Sequence, residues 1–457
     1  MLPILTPEEM RVVDAWAPEP VDALIERAGS AVARAAIRTM GGTYGRTVNV
    51  IVGTGNNGAD GRVAAHELDV RGVRVRVFTV ADLPLELPPA DLVIDAAFGT
   101  GFHGAWSPPD IGDTPVLAVD IPSGVDGATG AADVDRVLAA DRTVTFAAIK
   151  PGLLFPPGSD LAGELELVDI GLDVDPRGHG IHAHLLQRSD VSEWWPRRDS
   201  SAHKWNAAVR IIAGSRTMTG AAILASAGAQ RAGAGMVNVS SPGMDVVPGL
   251  PVEVVQRPLP ATGWAEEALR SLDRFHAVVV GPGLGRRDDT AVSARYMIIN
   301  APLPVVVDGD GLFALAWNAD GAAALLQQRT APTVLTPHDG EYRLLTGTAP
   351  GVDRIGAARR LARDTTCVVL LKGPATVVAQ PDGEVLVVTT GDHRLATAGT
   401  GDVLAGIVGA LLAHGLSPFH AAAMGAWVHG RAARFGAETG FVASDLPDLV
   451  PNVLATL

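Results

Sequence analysis

Lysine is almost missing from this chain: of 36 basic residues only Lys150, Lys204 and Lys372 are lysines. Arginine replaces lysine freely on a solvated face, but not where a compact ammonium must meet a phosphate or a carboxylate. The three survivors are therefore candidate site residues. Cysteine is scarcer still. The one thiol, Cys367, sits in the apolar run CVVLL, which excludes a disulfide framework and predicts a buried structural thiol in a reducing cytoplasm. No apolar run reaches the roughly 18 residues of a membrane span, and MLPILTPEEM lacks the basic and apolar regions of a secretory signal. Neither membrane insertion nor secretion is expected. A net charge of −14 argues against a broad phosphate-neutralising face, so nucleic acid is not an expected partner. There is no Gly-Lys dipeptide and hence no Walker A loop, no HExxH and no CxxC. Any nucleotide chemistry must use another phosphate cradle.

What is present fits two α/β domains. With 457 residues, 47% of them hydrophobic, the chain can bury more than one core. Thr6-Pro7-Glu8-Glu9 reads as a capping box opening a first helix, and a second helix is expected from about Val21 to Met40. The bursts TVNVIVG, VRVRVFTV, DLVIDAAFG, PVLAVDIPSG, RTVTFAA and GELELVDIGL then predict a parallel sheet covered on both faces. Residues 173 to about 200 are polar, proline-punctuated and without periodicity, which marks a domain boundary. A second α/β series follows with VRIIAGS, HAVVVGPGLG, LPVVVDGDGL, PTVLTPHDGEYRLL, TCVVLLKGPATVV and ATAGTGDVLAGIVGALLAHG.

In the first domain GTGNNGADGR fits the GxGxxG dinucleotide fingerprint, with Asn56, Asn57 and Asp60 crowding the turn. Asp95 with Gly99-Thr100-Gly101, and Asp120 with Ser123, follow two further strands. In an open parallel sheet the carboxyl ends of the strands converge on one crevice, so all three loops should line it. Asn57, Asp95 and Ser123 offer hard oxygen ligands suited to a monovalent or hard divalent cation.

The motifs NNGADG, DAAFGTG, VDIPSGVDGATG and TFAAIKPG, in that order, resemble the NAD(P)HX epimerase family over roughly the first 175 residues. The resemblance implies a Rossmann-like domain at 1–180. It also implies that Asn56, Asn57, Gly58, Ala59, Asp60 and Gly99, Thr100, Gly101, Phe102, His103, Gly104, Ala105 bind the hydrated dinucleotide. Asp120 would bind it too and act as acid/base, while Asn57, Asp95 and Ser123 would hold potassium. Ala59 departs from the family's usual glycine, a change tolerable unless that position needs positive φ.

In the second domain GTGD at 399–402 opens an apolar helix, so glycine amides and the positive helix end form an anion hole. A carboxylate there, Asp402, repels phosphate unless it serves as the base for a hydroxyl attacking a phosphoryl group. Lys372 in KGPAT stands at a strand end. His338 in TPHDGE reads equally well as a turn residue or a ligand contact. HKW, GSRTMTGA, GPGLG, TPHDGE, LKGPAT and GTGDVLAG resemble the ADP- or ATP-dependent NAD(P)HX dehydratases, implying a ribokinase-like domain at 186–457. By that resemblance Ala221, Gly283, His338 and Asp402 contact the hydrate. Lys372, Gly373, Pro374, Ala375, Thr376 and Gly401 would bind ADP or ATP, taken with magnesium.

Together these readings imply repair of NADHX and NADPHX, in which water added across C5=C6 has left a hydroxyl at C6. The expected protein is cytoplasmic and a homo-oligomer. Two alternatives stay open: a vitamin-precursor kinase fused to an unrelated binding domain, and an N-terminal domain that binds dinucleotide without catalysis.

Overall fold

Strands buried along their whole length need cover on both faces, and that requirement organises both halves of the chain. The computed structural model describes residues 1–457 apart from His103, Ala105, Pro176, His179, Asp199, Ala319 and Asp320. The chain divides into two compact units, Leu2–Ala183 and His184–Leu457 with Met1.

The first unit carries β1 (Thr47–Val52), β2 (Arg74–Thr79), β3 (Leu92–Ala96), β4 (Val116–Val119), β5 (Arg142–Phe146) and β6 (Glu164–Val168). They pair in the order β2-β1-β3-β4-β5-β6, all parallel. Its helices are α1 (Pro7–Ala15), α2 (Val21–Met40) and α3 (Asn56–Val70). The capping box of α1 forms as the sequence predicts, with Thr6 and Glu9 exchanging hydrogen bonds. On one face α2 and α3 bury Val32, Ala36, Ala64 and Leu68 against Val48, Val50 and Ile94. The opposite face packs Ile51, Val93 and Ala118 with Trp106 and Leu138. The edges carry charge: Arg74 and Arg76 on β2, Glu164 and Glu166 on β6, which discourages pairing with another sheet. Strand order reverses between β1 and β3, so their carboxyl ends open the crevice where ligands bind in such sheets.

In the second unit we number β7 (Ala208–Ile212), β8 (Met236–Ser240), β9 (Val255–Gln256), β10 (Ala277–Val280), β11 (Val305–Val307), β12 (Thr333–Leu335), β13 (Val368–Leu371), β14 (Thr376–Ala379) and β15 (Val385–Val388). Their order is β15-β14-β13-β12-β11-β10-β7-β8-β9. Pairing is parallel from β9 to β13 and antiparallel across β13-β14-β15. The helices that matter for the site are α4 (Thr219–Arg231), α5 (Asp339–Thr346), α6 (Thr400–Ala413) and α7 (Pro418–Ala433). Small residues let α4 and α6 meet backbone to backbone: a Cβ on Gly406 would fall 2.0 Å from the Ala225 carbonyl oxygen. That contact fixes the amino end of α6, and with it Asp402.

The stretch 173–200 is not wholly irregular. It holds the short strand Ala183–Leu185 and a helix at Arg188–Trp194, closed by a capping box between Gln187 and Asp190. Two turns with a single buried residue, Val191, are too short to show periodicity. Lys204 is exposed and joins neither candidate site.

Candidate active sites

In the first unit the loop after β1 is pressed against the loop after β3. A Cβ on Gly53 would lie 2.0 Å from the Ala97 carbonyl oxygen, and one on Gly58 2.1 Å from that of Gly53, so the first and third fingerprint glycines answer a close approach of backbones, whereas Gly55 stands in open space. Asn56, Asn57, Gly58 and Ala59 form the first turn of α3. Ala59 is helical, so its methyl group costs nothing there. Asn57 is buried, and its Oδ1 and Nδ2 have no hydrogen-bond partner among the described residues. Its side chain lies beside Gly99.

Asp95 ends β3 between Ile51 and Ala118 of the neighbouring strands and is wholly buried. Its Oδ1 accepts from Ser123 Oγ at 2.6 Å and its Oδ2 from Ser123 N at 2.8 Å. Burial pushes its carboxyl above the usual range, against these hydrogen bonds. No ion pair reaches it among the described residues. Ser123 Oγ also accepts from Phe98 N at 2.9 Å, tying the β3 and β4 loops together. The orphaned Asn57 amide oxygen, the Asp95 carboxylate, with no ion pair among the described residues, and the Ser123 hydroxyl are oxygen donors of the kind a hard monovalent or divalent cation takes. Phe102 stacks on Phe98 with centroids 4.0 Å apart, anchoring the turn from Gly99 to Phe102; His103 and Ala105 lie outside the described residues.

Asp120 follows β4 with φ +66°, and Ile121 N donates to Val119 O at 2.8 Å. This is a γ-turn of the rare positive-φ kind, a conformation held only when its surroundings insist on it. Lys150, scarcely exposed, donates to Asp120 Oδ1 at 2.5 Å, Thr145 Oγ1 at 3.0 Å and the Phe146 carbonyl at 3.0 Å. Thr145 Oγ1 donates to the same Asp120 Oδ1 at 3.0 Å. Asp60, on α3, is buried. Burial first, then the charge of Asp120, raise its carboxyl to about 8 against the pull of Lys150, so Asp60 is protonated at neutral pH.

In the second unit Gly399 caps α6 with φ +97°, and Asp402 lies in the first turn. Burial, and next the charge of Asp308, raise the Asp402 carboxyl to about 7 against the pull of Lys372; Asp310 and Glu341 add to the rise. Lys372 Nζ donates to Asp308 Oδ1 at 2.9 Å and lies 3.5 Å from Glu341 Oε2. Burial lowers its pKa, but the two carboxylates outweigh burial and leave it raised. A Cβ on Gly401 would stand 3.4 Å from that ammonium. Lys372 and Gly401 therefore meet. Gly283 and Ala221 meet as well: a Cβ on Gly283 would fall 2.7 Å from that of Ala221. Thr336 Oγ1 donates to Asp308 Oδ1 at 2.6 Å, and Asp310 accepts from Gly285 N at 2.8 Å. Gly373 packs on the Arg354 guanidinium, Pro374 follows in the same loop, Ala375 is buried, and Thr376 begins β14. His338 caps α5, its Nδ1 accepting from Gly340 N at 3.0 Å and Glu341 N at 3.3 Å. The buried His429 Nε2 is hydrogen-bonded to the Thr400 carbonyl at 2.8 Å.

Sequence reasoning missed Asp308, Asp310 and Glu341 as site residues. The signal was available, because VVVDGDG repeats the strand-then-aspartate pattern of VIDAAFG.

A relative from Moorella thermoacetica, named a bifunctional NAD(P)H-hydrate repair enzyme, is 35% identical over 99% of this chain and 97% of its own length. The chain belongs to that family. A Mycobacterium leprae enzyme of the same name is 38% identical over 92% of this chain and 90% of its own. Residues 209–454 match the family model for NAD(P)H-hydrate dehydratase, and 21–88 with 81–152 match that for the YjeF-related protein N-terminus. The crystal structure of the ADP/ATP-dependent NAD(P)H-hydrate dehydratase from Bacillus subtilis, co-crystallised with ATP/Mg2+, covers 60% of this chain and 98% of its own. It shares 31% identity and a TM-score of 0.52. The ribokinase-like fold of the second unit is thereby established for this member of the repair-enzyme family. No helix among the described residues is long and apolar enough to cross a membrane.

Proposed function

We propose that the first unit epimerises R- and S-NAD(P)HX and the second dehydrates S-NAD(P)HX to NAD(P)H at the expense of ADP or ATP. The observation that carries this reading is the presence of one aspartate-and-lysine site in each unit. In epimerisation Asp120 takes the proton of the C6 hydroxyl as C6=O forms and the C6–N1 bond opens, with a proton returned to N1. Reclosure on the other face reverses each step, so no atom is gained or lost. Asn56 to Asp60 and Gly99 to Ala105 cradle the dinucleotide. Asn57, Asp95 and Ser123 would hold potassium, which would offset the charge of the buried carboxylate.

In dehydration Asp402 takes the hydroxyl proton as the C6 oxygen attacks the terminal phosphoryl group, releasing AMP from ADP or ADP from ATP. The ring nitrogen then expels phosphate, a far better leaving group than hydroxide. Loss of a C5 proton restores C5=C6. Ala221, Gly283 and His338 line the hydrate's side; Lys372 to Thr376 and Gly401 take the nucleotide. Asp308 and Asp310 would supply hard oxygens to magnesium, which would neutralise phosphate charge. The protein works in the cytoplasm as a homo-oligomer, on both NADHX and NADPHX. The test is absorbance: a mixture of R and S hydrate, given ADP or ATP, should return fully to reduced nicotinamide. A stable phosphorylated product would favour a vitamin-precursor kinase instead.

A further inference from the structure

All hydrogen bonds to the Asp120 carboxylate among the described residues end on one oxygen, Oδ1, from Lys150 and Thr145. Lys150 spends its three N–H donors on Asp120, Thr145 and Phe146, which is its full capacity. Its ammonium is only 2% exposed and has no donor left for a substrate. Asp120 is less enclosed, at 17%.

We propose that Lys150 is a positioning residue for epimerisation: with Thr145 it saturates Oδ1 of Asp120 and leaves Oδ2 as the one oxygen offered to the substrate. The inference rests on Asp120 being the acid/base group. The pair also supplies what the γ-turn at Asp120 needs, a fixed anchor for a side chain on strained backbone. The titratable groups coupled to Asp120 come from three elements: Lys150 after β5, Asp60 on α3 and Asp14 on α1, the last two registering both Asp120 and Lys150 in their own ionisation. Lys150 is the sole cation among these. Without it, only carboxyl groups remain coupled to Asp120, which becomes harder to keep as a base. Removing Lys150 alone leaves the Asp120 carboxylate without its ion-pair partner, a change that costs stability as well as activity, so folding is measured beside the rate.

The experiment is the pH profile of R-to-S interconversion by full-length Lys150→Met, with the uncatalysed rate subtracted and with hydrate binding and thermal unfolding of the same preparation as the checks that the first unit is folded. The rising limb should move to higher pH by about one to three units. The loss should be about 10- to 1000-fold on the acid side and shrink as pH rises, with hydrate binding retained. Thr145→Val should move the limb the same way by less, and it decides the matter should Lys150→Met not fold. An unchanged rate, or a drop equal at every pH, overturns the proposal. Asp120→Asn separates the two levels. If that variant still epimerises, the acid/base reading itself fails; if it is dead while the Lys150→Met limb stays in place, only the role of Lys150 fails.

Discussion

A lysine between two carboxylates and a glycine leaves little room for a larger cation. Lys372→Arg must fit a planar fork where Nζ sits 2.9 Å from Asp308 and 3.4 Å from a Cβ on Gly401. We expect dehydration to slow by at least about tenfold, roughly 1.4 kcal/mol of barrier, measured as NADH recovery with ADP. Wild-type kinetics would return Lys372 to a structural role. If Asp402 is the base of dehydration, it sets the pH dependence. Its carboxyl, raised to about 7 chiefly by burial and the charge of Asp308, is protonated below that pH and a base above it. The kcat/KM for dehydration should therefore climb about tenfold per unit below pH 7 and level off above it; a flat profile between pH 5.5 and 8.5 would exclude the assignment. At this scale the sequence was informative where chemistry is rare. Scarcity drew attention to Lys150 and Lys372, and it misdirected at Lys204, where an exposed lysine simply persists. Asp308 and Glu341 stayed hidden because a strand-end aspartate and a cap-forming glutamate are common residues in common places, and only the fold brings them to Lys372.

Loops at strand ends gain their rigidity from one another. Asp95 joins the β3 and β4 loops through Ser123, and Ser123 reaches back to Phe98. Asp95→Ala should weaken potassium binding by about 10- to 100-fold and slow epimerisation in step. A potassium titration checks this, and equal epimerisation rates for variant and wild type throughout would refute the cation site. Elements were legible where periodicity or caps were strong: the box at Thr6 and Glu9, the helix Val21–Met40, and the buried strands ending in aspartate. The helix at Arg188–Trp194 was not, because a short amphipathic segment amid prolines shows no repeat. His338 could be read from sequence as a turn or as a contact. In the fold it caps α5, and Glu341, its partner in the capping box, also faces Lys372.

Two compact units, each with its own sheet, wholly parallel in the first and mainly parallel in the second, imply two chemistries that can be removed one at a time. Asp120 is anchored by Lys150 within Leu2–Ala183, and Asp402 by the helix contact of α4 with α6 within His184–Leu457. The most direct measurement pairs two assays on Asp402→Asn: S-hydrate dehydration with ADP, and R-to-S interconversion by chromatography without nucleotide. The amide keeps the size of the side chain and removes the base. Dehydration should fall about 10²- to 10⁴-fold, roughly 3 to 5 kcal/mol of barrier, with adenine nucleotide still bound and epimerisation at the wild-type rate. Loss of both activities in folded protein, or loss of neither, would contradict the two-site account.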